Sequence, residues 1–270
     1  SILSKYSKIY EFENMGLNNV TIKLYNKIKI DYMFKDVRDL ISVEMHSENN
    51  AKIESMISIF ENCSNLDSFN ISGFDVSHLK STKKLFYKSA IKTFTFLEFY
   101  SESLQDISYM FADTSISVIS FFTLKYINTK HVTDMSHLFE GCFSLVYIDL
   151  SEMDTSSVTD MSYMFHSCSG IQSLNLEKFD TNNVKNMSSM FQDCISLSSL
   201  SIKNFNTKNV EDMSNLFSFC FALTSLDISN FVTDNVKDMS FMFEYGRLPN
   251  FDLKHFNTKN VESTAGMFAS

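Results

Sequence analysis

The chain has 270 residues, 44% of them hydrophobic, and a formal net charge of −9. Its 23 basic residues are scattered, which argues against the clustered Lys and Arg of a nucleic-acid-binding surface, and no apolar run approaches the roughly 18 residues of a membrane-spanning helix. Twenty-seven Phe and fifteen Met stand against six Gly, one Pro and no Trp, a balance that a repeat demanding the same residue types in every unit accounts for.

The repeat is plain from Thr155 onward. TSSVTDMSYMFHSCSGIQSLNLEKFD (155–180) is followed by TNNVKNMSSMFQDCISLSSLSIKNFN (181–206) and TKNVEDMSNLFSFCFALTSLDISNFV (207–232), so Thr155, Thr181, Thr207 and Thr233 step by 26 residues. A fixed period of this size marks a solenoid, whose units bury their apolar faces against one another. Aligned on the Phe that closes each apolar-Phe pair, ten units emerge, at Phe34, Phe60, Phe86, Phe111, Phe139, Phe165, Phe191, Phe217, Phe243 and Phe268.

In chain order, residues 1–34 read as an N-terminal capping unit, with a strand-like LNNVTI (17–22) followed by the charges of Lys23, Lys27 and Lys29. Residues 35–270 read as one continuous domain. After each Phe comes an L-x-x-L-x-L pattern: LISVEM (40–45), LDSFNI (66–71), IKTFTF (91–96), ISVISF (116–121), LVYIDL (145–150), IQSLNL (171–176), LSSLSI (197–202), LTSLDI (223–228) and LPNFDL (248–253). Its last apolar residues alternate with polar ones, the period of a half-buried strand. One strand per unit predicts a parallel sheet with rungs about 4.8 Å apart.

Between strands lies V-x-x-M-x-x-(M/L)-F, as in Val210, Met213, Leu216 and Phe217. This spacing predicts an apolar stripe along a short helix, with Thr207 or Asn209 as N-cap. Asp134, Asp160, Asp212 and Asp238, with Asn186 in the remaining unit, fall in its first turn, where negative charge suits the helix dipole. Phe179, Phe205, Phe231 and Phe256 point inward from the turn after the strand. The predicted fold is an α/β solenoid of about ten units: a right-handed leucine-rich repeat with a concave parallel sheet and short convex helices. The chain opens on Ser1 without Met and stops in mid-repeat at Ser270, so it reads as trimmed, with residues missing at the C-terminus.

The units that break the period are the informative ones. The interval from Phe111 to Phe139 is 28 residues, because FFTLKYIN (121–128) is longer than its counterparts; it follows TFTFLEFY (93–100) in the preceding unit. Most outward strand positions are small and polar, such as Ser199, Ser201, Ser225 and Asp227. In the middle of the array they become Leu97, Val118, Phe122 and Tyr147, with Phe99, Tyr100, Leu124 and Tyr126 on the adjacent edge. Apolar patches rimmed by polar residues mark protein-interaction sites, and aromatic residues are the usual anchors. The competing reading is that the irregular loops fold over these side chains and bury them.

No other constellation carries chemistry. Cys63, Cys142, Cys168, Cys194 and Cys220 each lie three residues after their Phe, where other units have Ser89, Thr114 and Gly246; this predicts a ladder of small buried thiols. Metal-binding cysteine pairs at short spacing are missing, and one carboxylate per rung in the Asp column is too few for calcium. Neither a triad around His46, His78, His131, His137, His166 and His255 nor a glycine-rich phosphate loop can be drawn. The expectation is a protein without enzymatic activity, cofactor or metal.

The phrase F-(D/N)-T-x-x-V-x-(D/N)-M-S-x-(M/L)-F-x-x-C-x-x-L-x-x-L-(D/N)-(I/L) resembles the repeat of the BspA-like leucine-rich-repeat surface proteins, in particular the branch of mycoplasmas and other AT-rich bacteria. The match is specific over 129–268, rests on register over 35–128, and is weak over 1–34. The resemblance implies a cell-surface or secreted protein that binds host or neighbouring-cell proteins. The expected function is non-catalytic protein binding in adhesion or recognition at a microbial surface. The alternatives are a structural assembly subunit of a virion or appendage, whose partner is a second copy, and an intracellular scaffold or immunity protein.

Overall fold

The structure is a computed structural model and describes residues 29–95, 100–119, 127–247 and 252–270, with the backbone of Asn18–Lys23. Eight strands follow one another in the chain: β1 (Asn18–Lys23), β2 (Leu40–His46), β3 (Ser68–Ser72), β4 (Thr93–Thr95), β5 (Val118–Ile119), β6 (Tyr147–Ile148), β7 (Ser173–Asn175) and β8 (Ser199–Ser201). Every pairing is parallel and joins a residue to its equivalent one repeat on, as in Val43 with Phe69 and Leu174 with Leu200. The alternating pattern works as predicted: Phe69 and Ile71 are buried while Asn70 between them is exposed. The predicted capping unit 1–34 lies largely outside the described residues, but β1 continues the sheet and Phe34 stacks on Phe60.

The expected single sheet is instead three: β1-β2-β3-β4, β5-β6 and β7-β8. Strands shrink from seven residues in β2 to two in β6, and the described residues 223–228 form none. The cause is local. Asp149, Asn175 and Asp227 accept a hydrogen bond through Oδ1 from the N–H two residues on, an Asx turn that bends the chain just where a strand would continue.

The predicted convex helices are absent among the described residues. In the segment Met161–Cys168, the N–H groups of Met161, Tyr163, Phe165 and Ser167 donate to the carbonyls of Asn186, Ser188, Met190 and Gln192 in the next unit, at 2.8–3.0 Å. The intervening N–H groups of Met164, His166 and Cys168 donate three residues back, to Met161, Tyr163 and Phe165. An α-helix would spend these donors four residues back within itself; here half of them tie one unit to the next. Successive i to i−3 turns still return Val158, Met161, Met164, Phe165 and Cys168 to one buried side, which is why the sequence carries a helix-like stripe. The pattern places residues two before and two after each Phe at positive φ, including Tyr163 (57°), Ser167 (59°) and Phe241 (55°). One such position is Gly141, where a Cβ would meet Asp113 Oδ1 at 2.1 Å.

With no helix to cap, the Thr and Asp columns do other work. Buried Thr155 donates its hydroxyl to the Asp180 carbonyl and accepts from the Asp180 N–H; Thr181, Thr207 and Thr233 clasp Asn206, Val232 and Asn257 in the same way. The Asp column forms isolated parallel bridges from Asp106 to Asp238. Each Oδ1 takes the N–H of the serine two residues on, as Asp134 does from Ser136 and Asp212 from Ser214. Asn186 offers the same oxygen to Ser188, so the position needs an acceptor and not a charge.

The core runs unbroken from Ile30 to Phe243. The ten Phe rings that define the units stack with centroids 5.6–5.9 Å apart, those from Phe34 to Phe243 inside this core and Phe268 exposed beyond it. The five cysteines are buried and free, as the thiol ladder requires. Each Sγ donates to the carbonyl of the preceding unit's Phe at 3.0–3.1 Å. Burial pushes the Cys63, Cys142 and Cys220 thiols up to about 12, far from the thiolate form that reacts or binds metal.

Candidate protein-binding surface

The strand side carries small polar groups in most described units: Ser173, Asn175 and Ser199 face solvent. The units of Phe111 and Phe139 differ. Val118 in β5 pairs directly with Tyr147 in β6, and both side chains stand out, 50% and 54% exposed. A cross-strand pair of this kind brings apolar side chains within contact range. Val146 and Phe143, at 57% and 60% exposure, extend the apolar surface along the turn that leads into β6. Tyr100 is also exposed. Just after β6 comes Asp149, its carboxyl held below the ordinary value by the N–H and hydroxyl of Ser151.

Of the sequence-predicted residues, Tyr100, Val118 and Tyr147 are therefore solvent-facing, and Val118 and Tyr147 are neighbours. Leu97, Phe99, Phe122, Leu124 and Tyr126 lie outside the described residues. Sequence reading missed Phe143 and Val146. The signal for Phe143 was its column, four residues after each Phe, which holds Ser169, Ile195 and Phe221 in later units; Ile195 and Phe221 are exposed as well.

The opposite, turn side carries a second cluster. His137 lies between the rings of Tyr109 and Tyr163, at centroid distances of 4.0 and 4.6 Å and nearly parallel to both. Its Nδ1 is 2.7 Å from Glu140 Oε2, while His166 Nδ1 is 3.2 Å from Glu140 Oε1 and His166 Nε2 is 3.4 Å from Asp193 Oδ2. Burial pushes the Glu140 carboxyl up, but hydrogen bonds to His137 and His166 outweigh it and hold the group at about 2. Burial, and then the Glu140 charge, raise the neighbouring Asp113 carboxyl. A groove elsewhere is lined by Asn183, Lys185, Asn209, Glu211, Asn235 and Lys237, where each Asn side-chain amide is already spent on a carbonyl of the preceding unit.

Stacked parallel units with the L-x-x-L-x-L pattern define a tandem-repeat protein of the leucine-rich type. The chain belongs to the family described as "Mycoplasma protein of unknown function, DUF285", which matches residues 8–118, 105–218 and 170–270. The chain is also similar to a leucine-rich repeat protein of Eubacterium ventriosum, at 12% identity and a TM-score of 0.33, over 87% of this chain and 92% of that one. Comparison with curated proteins gave no match. No helix of the described residues is long and apolar enough to cross a membrane.

Proposed function

We propose that this protein is a non-catalytic binding solenoid that captures another protein through the strand side of the units of Phe111 and Phe139. The observation that supports it is the registered pair Val118–Tyr147, two exposed apolar residues in a strand column that holds Ser42, Ser68, Thr93, Ser173 and Ser199 in other units, with exposed Val146 and Phe143 beside it. Charge-poor aromatic surface loses little when desolvated, and clusters of this kind supply the anchors of interfaces. Parallel strands joined by crossovers are nearly always right-handed, which supports right-handed coiling. The BspA-like resemblance of the repeat supports a site of action at a microbial cell surface or in the secreted state, with adhesion to, or recognition of, a host or neighbouring cell.

The test is binding of fluorescently labelled chain to cultured epithelial cells, before and after their surface proteins are removed with trypsin. Wild-type protein should bind intact cells and lose most of that binding on shaved ones. The double variant Val118→Ser, Tyr147→Ser should keep its melting temperature, since surface changes usually stay within about 0.5 kcal/mol, and bind at least about tenfold more weakly, as loss of a central anchor does. Equal binding by the variant would remove the patch from the account. Binding that survives shaving would remove the protein partner. Concentration-dependent light scattering by wild type that the double variant abolishes would instead identify a second copy as the partner.

A further inference from the structure

The strand side has a second regularity that the Val118–Tyr147 pair does not explain. Residues 115–119, 143–148, 169–176, 195–202 and 221–226 hold the turn after the cysteine position and the strand, or its counterpart, in five successive units, and they contain no Asp, Glu, Lys, Arg or His. Charge resumes on every side. Asp149, Glu177, Lys203 and Asp227 directly follow four of the runs. The two units before the strip are joined by the exposed ion pair Lys92–Asp67 at 2.7 Å, and the unit after it puts exposed Arg247 at the position of Phe143 and Phe221. Stacking does not forbid charge on this side, since Glu44 faces solvent from β2. Within the strip the apolar groups form a row. Phe143, Ser169, Ile195 and Phe221 each donate their N–H to the carbonyl two residues back at 2.8–3.0 Å, so the four side chains leave the same turn one unit apart, and Phe143, Ile195 and Phe221 are exposed. Five rungs make the strip about 20 Å long.

We propose, resting on the reading of the strand side as a protein-binding surface, that the whole charge-free strip is the docking face and that its occupant is a protein presenting an equally uncharged face. Burying a charged group is costly unless an opposite charge meets it, and no side chain in the strip supplies one. A partner that brought Lys or Asp to this surface would strand that charge. Serine and threonine hydroxyls and the Gln172 amide, by contrast, donate or accept as a neutral backbone or side-chain group requires. Depletion of charge at the centre with polar groups around it is how protein interfaces are built, and here Asp149, Glu177, Lys203 and Asp227 carry the charge at the edge. Serine beside exposed aromatic rings is also the chemistry of antibody paratopes, in which the rings anchor and the hydroxyls adapt. Val118 and Tyr147 are then the aromatic and aliphatic anchors at one end of a longer surface, with Ile195 and Phe221 toward the other.

The experiment is binding of the fluorescently labelled full chain to cultured epithelial cells, with Ser199 replaced in two shape-matched pairs. Ser199 faces solvent from β8, two units beyond Tyr147. Ser199→Asp and Ser199→Lys should each weaken binding at least about tenfold, as an unmatched buried charge does. Ser199→Asn and Ser199→Gln should stay within about threefold of wild type, as contacts around an anchor do. Ser68→Lys, in the same strand column but outside the strip, should bind as wild type. All these surface changes should leave the melting temperature unchanged, and if one charged variant melts early the other sign decides. Equal losses in the neutral and charged replacements overturn the proposal, and so does a loss for one sign with a gain for the other, which would mean a charged partner. Self-association in light scattering that Ser199→Asp abolishes would overturn it in favour of a second copy. Binding that survives trypsin shaving but is lost on periodate-treated cells would overturn it in favour of a glycan. If Val118→Ser, Tyr147→Ser loses binding while both charged Ser199 variants keep it, the strip alone fails. Wild type that binds no cells fails the protein-binding reading, and the strip with it.

Discussion

The early and late units of this chain join their neighbours on the strand side by different means. Between Leu40 and Thr95, β2, β3 and β4 pair over five and then three positions. From Thr129 onward the strands shorten to two or three residues or vanish, and a buried threonine appears whose hydroxyl both donates to and accepts from the next unit. Its counterparts in the early units are Asn50, which is exposed, and Val76, which has no hydroxyl. Meanwhile the turn-side ladder of alternate N–H donors and the Phe stack run through both regions unchanged. A parallel stack needs inter-unit hydrogen bonds around its circumference to satisfy buried backbone groups, but the sequence can move them from strand to side chain.

Paired proline substitutions separate the two regions most strongly. Asn70→Pro, in the middle of central strand β3, should destabilise the chain by about 3 kcal/mol, since proline lacks the ladder donor and fits poorly inside a sheet. Ser225→Pro, in the stretch that aligns with β3 but in a unit without a strand, should cost less than half as much; equal losses in chemical denaturation would mean the later units are strand-held after all. Next in size is Thr207→Val, which keeps the shape but leaves the Val232 N–H and carbonyl without their partner. A loss of about 1–3 kcal/mol follows from stranding buried backbone groups, and an unchanged midpoint would refute the clasp. The smallest effect has the opposite sign. Ser189 sits at a positive φ of 56° with a buried, unpartnered hydroxyl, so Ser189→Gly should stabilise by about 0.5–1 kcal/mol through relief of the left-handed backbone. Destabilisation would mean the hydroxyl or the side chain packs usefully there.

The period, the Phe stack and the thiol ladder were legible because they are statements about burial, and burial is what apolar spacing encodes. The helices were not. Val158, Met161, Met164 and Phe165 report which side of the segment is buried, and that spacing is shared by a helix and by a run of i to i−3 turns. Nor did the residues betray the positive φ: Tyr163, Lys84 and Phe241 occupy it, where glycine or asparagine would have been the warning. Within the candidate surface, Val118 and Tyr147 could be read because outward strand positions alternate. Phe143 and Val146 sit in the turn before β6, where no period of two applies. Glu140 and His166 both lie one residue after their Phe, and their contact becomes visible only when that column is read across units instead of along the chain.

The central claim is that the segments before each Cys form a ladder between units and not helices. Residue-resolved amide exchange by NMR tests it most directly, through the identity of the protected donors and the chemical shifts that report backbone conformation. The account predicts that Met161, Tyr163, Phe165 and Ser167 are protected as strongly as their neighbours, with Tyr163 and Ser167 showing left-handed backbone shifts and no helical run across 158–168. A continuous helical signature over that segment, accompanied by the paired minima of a helix in circular dichroism, would contradict it.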